Sequence, residues 1–259
     1  VLDQITPLIL TYNEAPNIAR TLERLSWARE VVVVDSCSSD RTRDIAASFA
    51  NVRVVERAFT THAEQWNFGL RDTGITDDWV LALDADFVLT DEVTREIGAL
   101  RPAADVGGYR ASFTYCINGT PLRSGVYPPV TVLYRRAAAE YLQDGHTQRV
   151  RVTGAVVPMS ARILHDDRKP LSHWIASQVR YMRLEADKLD ATPSSALGAG
   201  DRLRKWIVVA PPLMFGLCLF GRGGILDGWP GLYYALQRSA AELILSLSLV
   251  ERRLLRRSD

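Results

Sequence analysis

Val31-Val32-Val33-Val34 is a run of four β-branched residues that stops at Asp35. Branching at Cβ favours extended backbone, and an unbroken apolar run, unlike an alternating one, is what a strand covered on both faces requires. Strands of that kind belong to parallel sheets with helices packed on either side. The flanking sequence repeats the theme. Ile5 to Thr11, Val52 to Val55 and Trp79 to Leu83 read as further strands, and helical spacing fills the gaps. Ile18, Leu22 and Leu25 follow Pro16, Ser38 to Asp40 offer N-cap chemistry for a helix through Ala50, and His62 to Leu70 forms a third helix. Thr90 or Asp91 caps a fourth that runs to about Leu100. The expected fold class is α/β, a Rossmann-like, mostly parallel sheet between helices.

Beyond Pro102 the pattern changes. Gly108 to Ile117, an Asn118-Gly119 turn and Val130 to Arg135 read as antiparallel strands added to that sheet. From Pro170 the chain reads as helical: an amphipathic stretch from Leu171 to Leu189, a Ser/Gly-rich linker from Thr192 to Gly200, then an apolar, Trp-bearing end. We therefore expect a catalytic region over residues 1–169 and a helical appendage over 170–259. A length of 259 residues with 47% hydrophobic side chains allows one sizeable core plus such an appendage. The 31 basic and 30 acidic residues leave a net charge of +1, so no global field points to nucleic acid as a partner. Cys37, Cys116 and Cys218 lack any C-x-x-C spacing, which fits a reducing compartment and argues against a zinc knuckle or disulfide framework. No signal-peptide pattern precedes the first strand, and the missing initiator Met points to a trimmed or incomplete start.

Ligands of open α/β sheets bind beyond the carboxyl ends of the strands. Three of those ends are polar and acid-rich: Thr11, Tyr12, Asn13 and Glu14 after the first strand, Asp35 and Ser36 after the second, Asp84 and Asp86 after the fourth. A parallel sheet brings them to one edge, where several carboxylates would repel one another. A divalent cation, Mg²⁺ or Mn²⁺, bridged to a diphosphate is the natural compensation, because these ions prefer hard oxygen ligands. A D-x-D pair just past a strand is suited to such an ion.

The segments "LTYNEAPNI", "VVVVDSCSSDRT", "QWNFGL" and "WVLALDADF" resemble, in order and spacing, the family 2 glycosyltransferases of the GT-A fold. With "GGILDGWPGLYYALQRSAAE" near the C-terminus, the resemblance is closest to the lipopolysaccharide-core β-glucosyltransferase-like branch and covers most of the chain. It implies a nucleotide-sugar donor, with a UDP-sugar expected. Thr11, Tyr12, Asn13 and Glu14 would line the nucleoside pocket, Asp35 would take the uracil edge, and Gln65 and Asn67 would sit beside the base or the diphosphate. Asp84 and Asp86 would bind the metal, with Asp84 also beside the donor. His165, after the strand pattern "ARIL", would be a further metal ligand, with Asp166 and Asp167 tuning its ring or capping the helix near Pro170.

An inverting transfer needs a carboxylate to take the acceptor hydroxyl's proton. The branch pattern has a His-Glu pair here, but this chain reads "LQDGHTQRV", with Thr147 in place of the Glu. Asp144 is the substitute candidate base and His146 its neighbour. The reading is a hexosyl transfer from a UDP-sugar to a glycan or glycolipid acceptor. A polyprenyl-phosphate acceptor, already ionised and needing no base, is an alternative, as is a non-catalytic membrane-bound assembly protein.

The apolar run Trp206 to Phe220, interrupted by Pro211 and Pro212, is shorter than the roughly 20 residues that span a bilayer. Arg202, Arg204 and Lys205 precede it, Arg222 follows it, and Leu226 to Leu255 ends among Arg252, Arg253, Arg256 and Arg257. Basic residues beside a Trp-bearing apolar face suit anionic headgroups, so a peripheral seat on the cytoplasmic face of a membrane is expected. A homodimer interface or a lid on the catalytic domain is the alternative.

Overall fold

The Val31–Val34 run forms a strand with no exposed surface at any of its four residues. The computed structural model describes residues 2–144 and 147–255, with the side chains of Asp144 and Thr147 left aside. The first ninety-nine residues alternate as the sequence predicts: β1 (Ile5–Thr11), α1 (Ile18–Glu23), β2 (Val31–Asp35), α2 (Thr42–Ala47), β3 (Val52–Glu56), α3 (His62–Arg71), β4 (Trp79–Asp84), a short β5 (Phe87–Val88) and α4 (Asp91–Ala99). Then follow β6 (Val106–Ile117), β7 (Thr120–Pro121), β8 (Val130–Arg135), β9 (Ala139–Asp144), β10 (Thr147–Val152) and β11 (Ala155–His165).

The main sheet has the order β3-β2-β1-β4-β8-β6-β11-β5, with β7 paired to β6. Strands β1 to β4 are mutually parallel, β8 is antiparallel to both of its neighbours, and β11 runs parallel to β6. Alternate residues of the central strands feed two cores. Ile5, Ile9, Val31, Val33, Leu81 and Leu83 pack with Ile18 and Leu22 of α1 and Val93 and Ile97 of α4. Leu8, Val32, Val34, Val80 and Ala82 pack with Ala63, Trp66 and Leu70 of α3. Gly69 permits the close approach of α3, since a Cβ there would stand 2.8 Å from Leu8 Cδ2.

Two features were not legible. The helix expected over residues 38–50 shrinks to α2 and has no side-chain cap. Ser38 bonds to Asp35 instead, and Asp40, one residue before the cap position, accepts the N–H of Thr42 at the start of α2. The β9–β10 hairpin, hidden in a mixed polar sequence, is held by α3: Tyr141 stacks on Trp66 at 5.2 Å, and its hydroxyl lies 3.0 Å from that of buried Tyr134. The Asn118-Gly119 turn has positive φ at both residues (48° and 81°), the backbone of a type I′ hairpin.

Register settles which strand ends meet. Thr11 is level with Asp35, and Leu10 is level with Asp84, so β1, β2 and β4 end side by side. On the far side of the sheet His165 closes β11 opposite Phe87 and beside Tyr115.

The chain folds as two units: residues up to Pro121 together with Tyr127–Arg168, and Leu122–Val126 together with the residues from Lys169 on. The second contains α5 (Leu171–Ala191), α6 (Ala199–Arg204), α7 (Ala210–Gly216), a π turn (Leu217–Gly221), a 3₁₀ turn (Gly224–Asp227) and α8 (Gly228–Leu255). Met182, Ala186 and Leu189 of α5 meet Leu245 and Leu249 of α8 in its core, with Leu197 and Ile207. The Asp227 carboxylate accepts from the backbone N–H of Arg123 and Ser124, and Val126 N–H donates to the Tyr234 hydroxyl. The Trp206–Phe220 run is broken at Ile207, which adopts a left-handed φ of 58° and whose carbonyl accepts the Ser246 hydroxyl at 2.6 Å. No helix among the described residues is long and apolar enough to cross a membrane.

Arg204 and Glu242 form a paired-charge contact at 2.8 Å between α6 and α8, with Glu242 almost wholly buried. Removing one partner of such a pair leaves the other charge uncompensated. Glu242→Ala is expected to destabilise the chain by about 3 kcal/mol, read from the urea midpoint. An unchanged midpoint would show that Asp201, 3.3 Å from Arg204, and water compensate the arginine without Glu242.

Candidate active site

The ends of β1 and β2 are tied by one carboxylate. Asp35 has no exposed surface and accepts three hydrogen bonds: from the Thr11 hydroxyl (2.8 Å), the Ser38 backbone N–H (2.7 Å) and the Ser38 hydroxyl (2.6 Å). The Ser38 oxygen in turn accepts the Asn13 N–H. Asn13, at φ 54°, uses its side-chain oxygen to accept Ser39 N–H at 2.9 Å. Glu14 N–H donates to Thr42, and Ala15 N–H to Asp40, whose carboxylate also accepts from the Thr42 N–H and hydroxyl. These bonds lower the Asp40 pKa against the opposing effect of burial. Asn tolerates left-handed backbone because its short amide bonds locally; Cys37, exposed and at φ 60°, has no such excuse and is held by its neighbours.

The predicted nucleoside residues thus share one corner of the sheet, in different roles. Tyr12 is half exposed and presents its ring at the surface. Thr11 and Asp35 are buried and organise the corner from within, so Asp35 is spent on protein donors where the sequence reading put a uracil edge. Gln65 is likewise buried: its amide donates to Ser36 Oγ (3.1 Å) and the Arg57 carbonyl (3.0 Å) and accepts from the Arg57 guanidinium. Asn67 clamps the backbone of Tyr141 on both sides, donating to its carbonyl at 2.9 Å and accepting its N–H at 3.0 Å. That geometry makes Asn67 a brace for the β9–β10 hairpin.

The acidic end of β4 meets the end of β11. The Thr21 hydroxyl fixes the intervening turn by donating to the Ala85 carbonyl, and Asp166 N–H donates to the Asp86 carbonyl at 3.0 Å. His165 Nε2 lies 3.1 Å from Asp86 Oδ2. The ring sits among Phe87, Tyr115 and Tyr127, with centroid separations of 5.2, 4.7 and 4.5 Å. Its Nδ1 is buried and has no hydrogen-bond partner among the described residues. Burial alone would push the imidazole pKa down, but the Asp86 carboxylate, helped by Asp84 and Asp167, raises it. Burial and the Asp84 and Asp86 carboxylates push the Tyr127 phenol well up, keeping it protonated.

A second network fixes this segment. Asp166 accepts from Arg20 (2.6 Å), from Arg168 and from Gly119 N–H, and Asn17 bonds Glu14, Asp167, Arg20 and the Arg168 N–H. Asp166 and Asp167 therefore tie β11 to α1, and neither caps α5, which begins at Pro170 without a side-chain cap. Sequence reasoning missed the aromatic box and Arg20; nothing in local spacing links them across more than a hundred residues.

Asp84, Asp86 and His165 are donors of the kind that hold Mn²⁺ or Mg²⁺, and the Asp86–His165 contact brings two of them together. No group of three or more such side chains is converged to hold an ion among the described residues. Of the proposed catalytic residues, His146 lies outside the described residues, and for Asp144 only the backbone is described, ending β9 opposite Thr147.

Residues 8–142, just over half of the chain, match the family model "Glycosyl transferase family 2", and the chain belongs to that family. It is 24% identical to the lipopolysaccharide core biosynthesis glycosyltransferase LpsC of Rhizobium meliloti over 91% of this chain and 90% of that protein. An uncharacterized glycosyltransferase of Rickettsia bellii is 38% identical over 95 residues; the match covers 36% of this chain and only about a third (31%) of that relative. Among solved structures, residues 1–349 of S. aureus TarS in complex with UDP-GlcNAc share the fold, with a TM-score of 0.50 at 16% identity over 96% of this chain and 91% of that one.

Because the His165 pKa is raised on folding, its ion pair with Asp86 contributes fully below the unfolded value near 6.5 and is lost as pH rises through the folded one. Asp86→Asn removes the principal opponent of burial, so the His165 titration followed by NMR should move to lower pH. An unmoved titration would show that Asp86 does not set the charge on this ring.

Proposed function

We propose that this member of glycosyl transferase family 2 moves a hexose from a UDP-sugar to a glycan or glycolipid acceptor, with inversion and with a divalent cation. One observation carries the reading: strand register sets Thr11 level with Asp35 and Leu10 level with Asp84, so that three polar strand ends meet, and Asp86 lies beside His165, on the edge where open α/β sheets bind ligands. The family match and the likeness to LpsC support the reaction class, and the fold shared with a UDP-GlcNAc-bound neighbour supports the donor.

In this reading the half-exposed ring of Tyr12 stacks on the base, and the cross-bonded loops after β1 and β2 supply a rigid pocket wall at no cost when the donor arrives. Asp84, Asp86 and His165 would hold Mn²⁺ or Mg²⁺, which when bound neutralises charge on the leaving diphosphate. His165 must give up its proton to ligate, so cation affinity should fall as pH drops through its raised pKa. Asp144, at the end of β9, is assigned the acceptor's proton on its sequence position.

The exposed side chains of Trp206, Val208, Leu213 and Phe220, near Arg202, Lys205 and Arg222, support a peripheral seat on an anionic, cytoplasmic membrane face. Arg204 contributes nothing there, being committed to Glu242.

Donor hydrolysis tests the core of the reading without an acceptor. Several UDP- and GDP-hexoses should be screened with Mn²⁺, Mg²⁺ or chelator: slow cleavage of a UDP-hexose is expected, lost with chelator and reduced at least 100-fold in Asp86→Ala. Full activity of that variant would remove the metal reading. Asp144→Asn should keep donor hydrolysis while abolishing transfer to a hydroxyl acceptor; undiminished transfer would point to an already ionised acceptor such as a polyprenyl phosphate.

A further inference from the structure

Helix α8 is apolar on two opposite faces. One is buried: Tyr234, Ala235, Ala241, Leu245 and Leu249 pack within their own unit. The other carries Trp229, Tyr233, Leu236, Ala240, Leu243, Leu247, Val250 and Leu254, spaced alternately by four and three residues without interruption. All but Ala240, which is half-buried, are exposed, Trp229 at 83% and Leu247 at 60%. Strict four-three spacing makes a narrow seam along a helix, the a and d positions of a heptad, and such a seam is covered by a second helix.

We propose that this seam joins two copies of the chain, with the two α8 helices antiparallel. The seam is self-complementary in that direction. With the two-fold axis between residues 241 and 242, Trp229 stands level with the other copy's Leu254, Tyr233 with Val250, Leu236 with Leu247, and Ala240 with Leu243. Every position is matched, as an interface formed by one patch on both subunits demands. The 28-residue helix is about 42 Å long, enough for all eight layers.

Charge decides between the occupants. The flanks along the middle of the seam, Gln237, Ser239, Ile244 and Ser246, are uncharged, whereas a helix lying on anionic lipid carries basic residues along its edges. Arg238 has a buried Nε, and Arg252 is paired with Asp187 and Asp190 of α5, so neither borders the seam; the remaining basic residues cluster at one end in sequence, as Arg253, Arg256 and Arg257. A parallel pair would bring two such clusters together; the antiparallel pair holds them apart.

Light scattering on the full-length chain in detergent-free buffer at tens of micromolar should give twice the chain mass, and Leu243→Glu should give the monomer mass with an unchanged circular dichroism spectrum. Oxidation of the double variant Leu236→Cys/Leu247→Cys should yield a disulfide-linked dimer that Leu236→Cys alone and the unmodified chain do not form. Crosslinking by Leu236→Cys alone would overturn the antiparallel register. A monomeric chain that binds vesicles containing phosphatidylglycerol, and loses that binding in Leu243→Glu, would overturn the proposal and give the seam to lipid.

Discussion

The buried carboxylate of Asp35 is the interaction on which the rest of the sheet's working edge depends. It sits at the last residue of a strand with no exposed surface, and its three donors come from the end of β1 (Thr11) and from Ser38 in the loop after β2. A buried carboxyl group in such a place is tolerable only when its oxygens are bonded, because an unsatisfied buried polar group costs more than a hydrogen bond returns. The loops after β1 and β2 are therefore not free to take independent conformations. Asn13 and Cys37 accept left-handed backbone in consequence.

The opposite side of the same edge is built on the same logic with different chemistry. Asp166 anchors the end of β11 through Arg20, Arg168 and the Gly119 N–H, and so presents His165 to Asp86 inside a box of aromatic rings. The imidazole carries conflicting demands, burial against charge and Asp86 in favour of it. Tyr134 and Tyr141, buried and bonded to each other, have their ionisation pushed well up and hold their hairpin in one protonation state throughout.

The legible part of the fold was what local pattern determines. Val31–Val34 announced a two-sided strand, the acids at 35, 84 and 86 marked strand ends, and β8 fell on the residues expected, Val130–Arg135. What stayed hidden depends on partners distant in sequence. Ser38 looks like a helix cap until Asp35 claims it, whereas Asp40 does meet the first N–H of α2 while also accepting from Ala15. Asn67 and Gln65 look like ligand-facing amides until Tyr141 and Ser36 occupy them. The β9–β10 hairpin alternates only briefly, at Ala139 and Tyr141 and at Val150 and Val152 among charged residues, and Trp66 and Asn67 of α3 hold it in place.

The short strap Leu122–Val126 has a consequence for how the chain divides. It lies between two segments of the first unit in sequence, yet its backbone is bonded by Asp227 and Tyr234 of the second. The polypeptide thus passes between units three times, after residues 121, 126 and 168. Gene fragments ending near residue 168 would carry the strap without the groups that satisfy it. In evolutionary terms the helical part is not a detachable module: shuffling it onto another catalytic core would require transplanting a five-residue splint along with it.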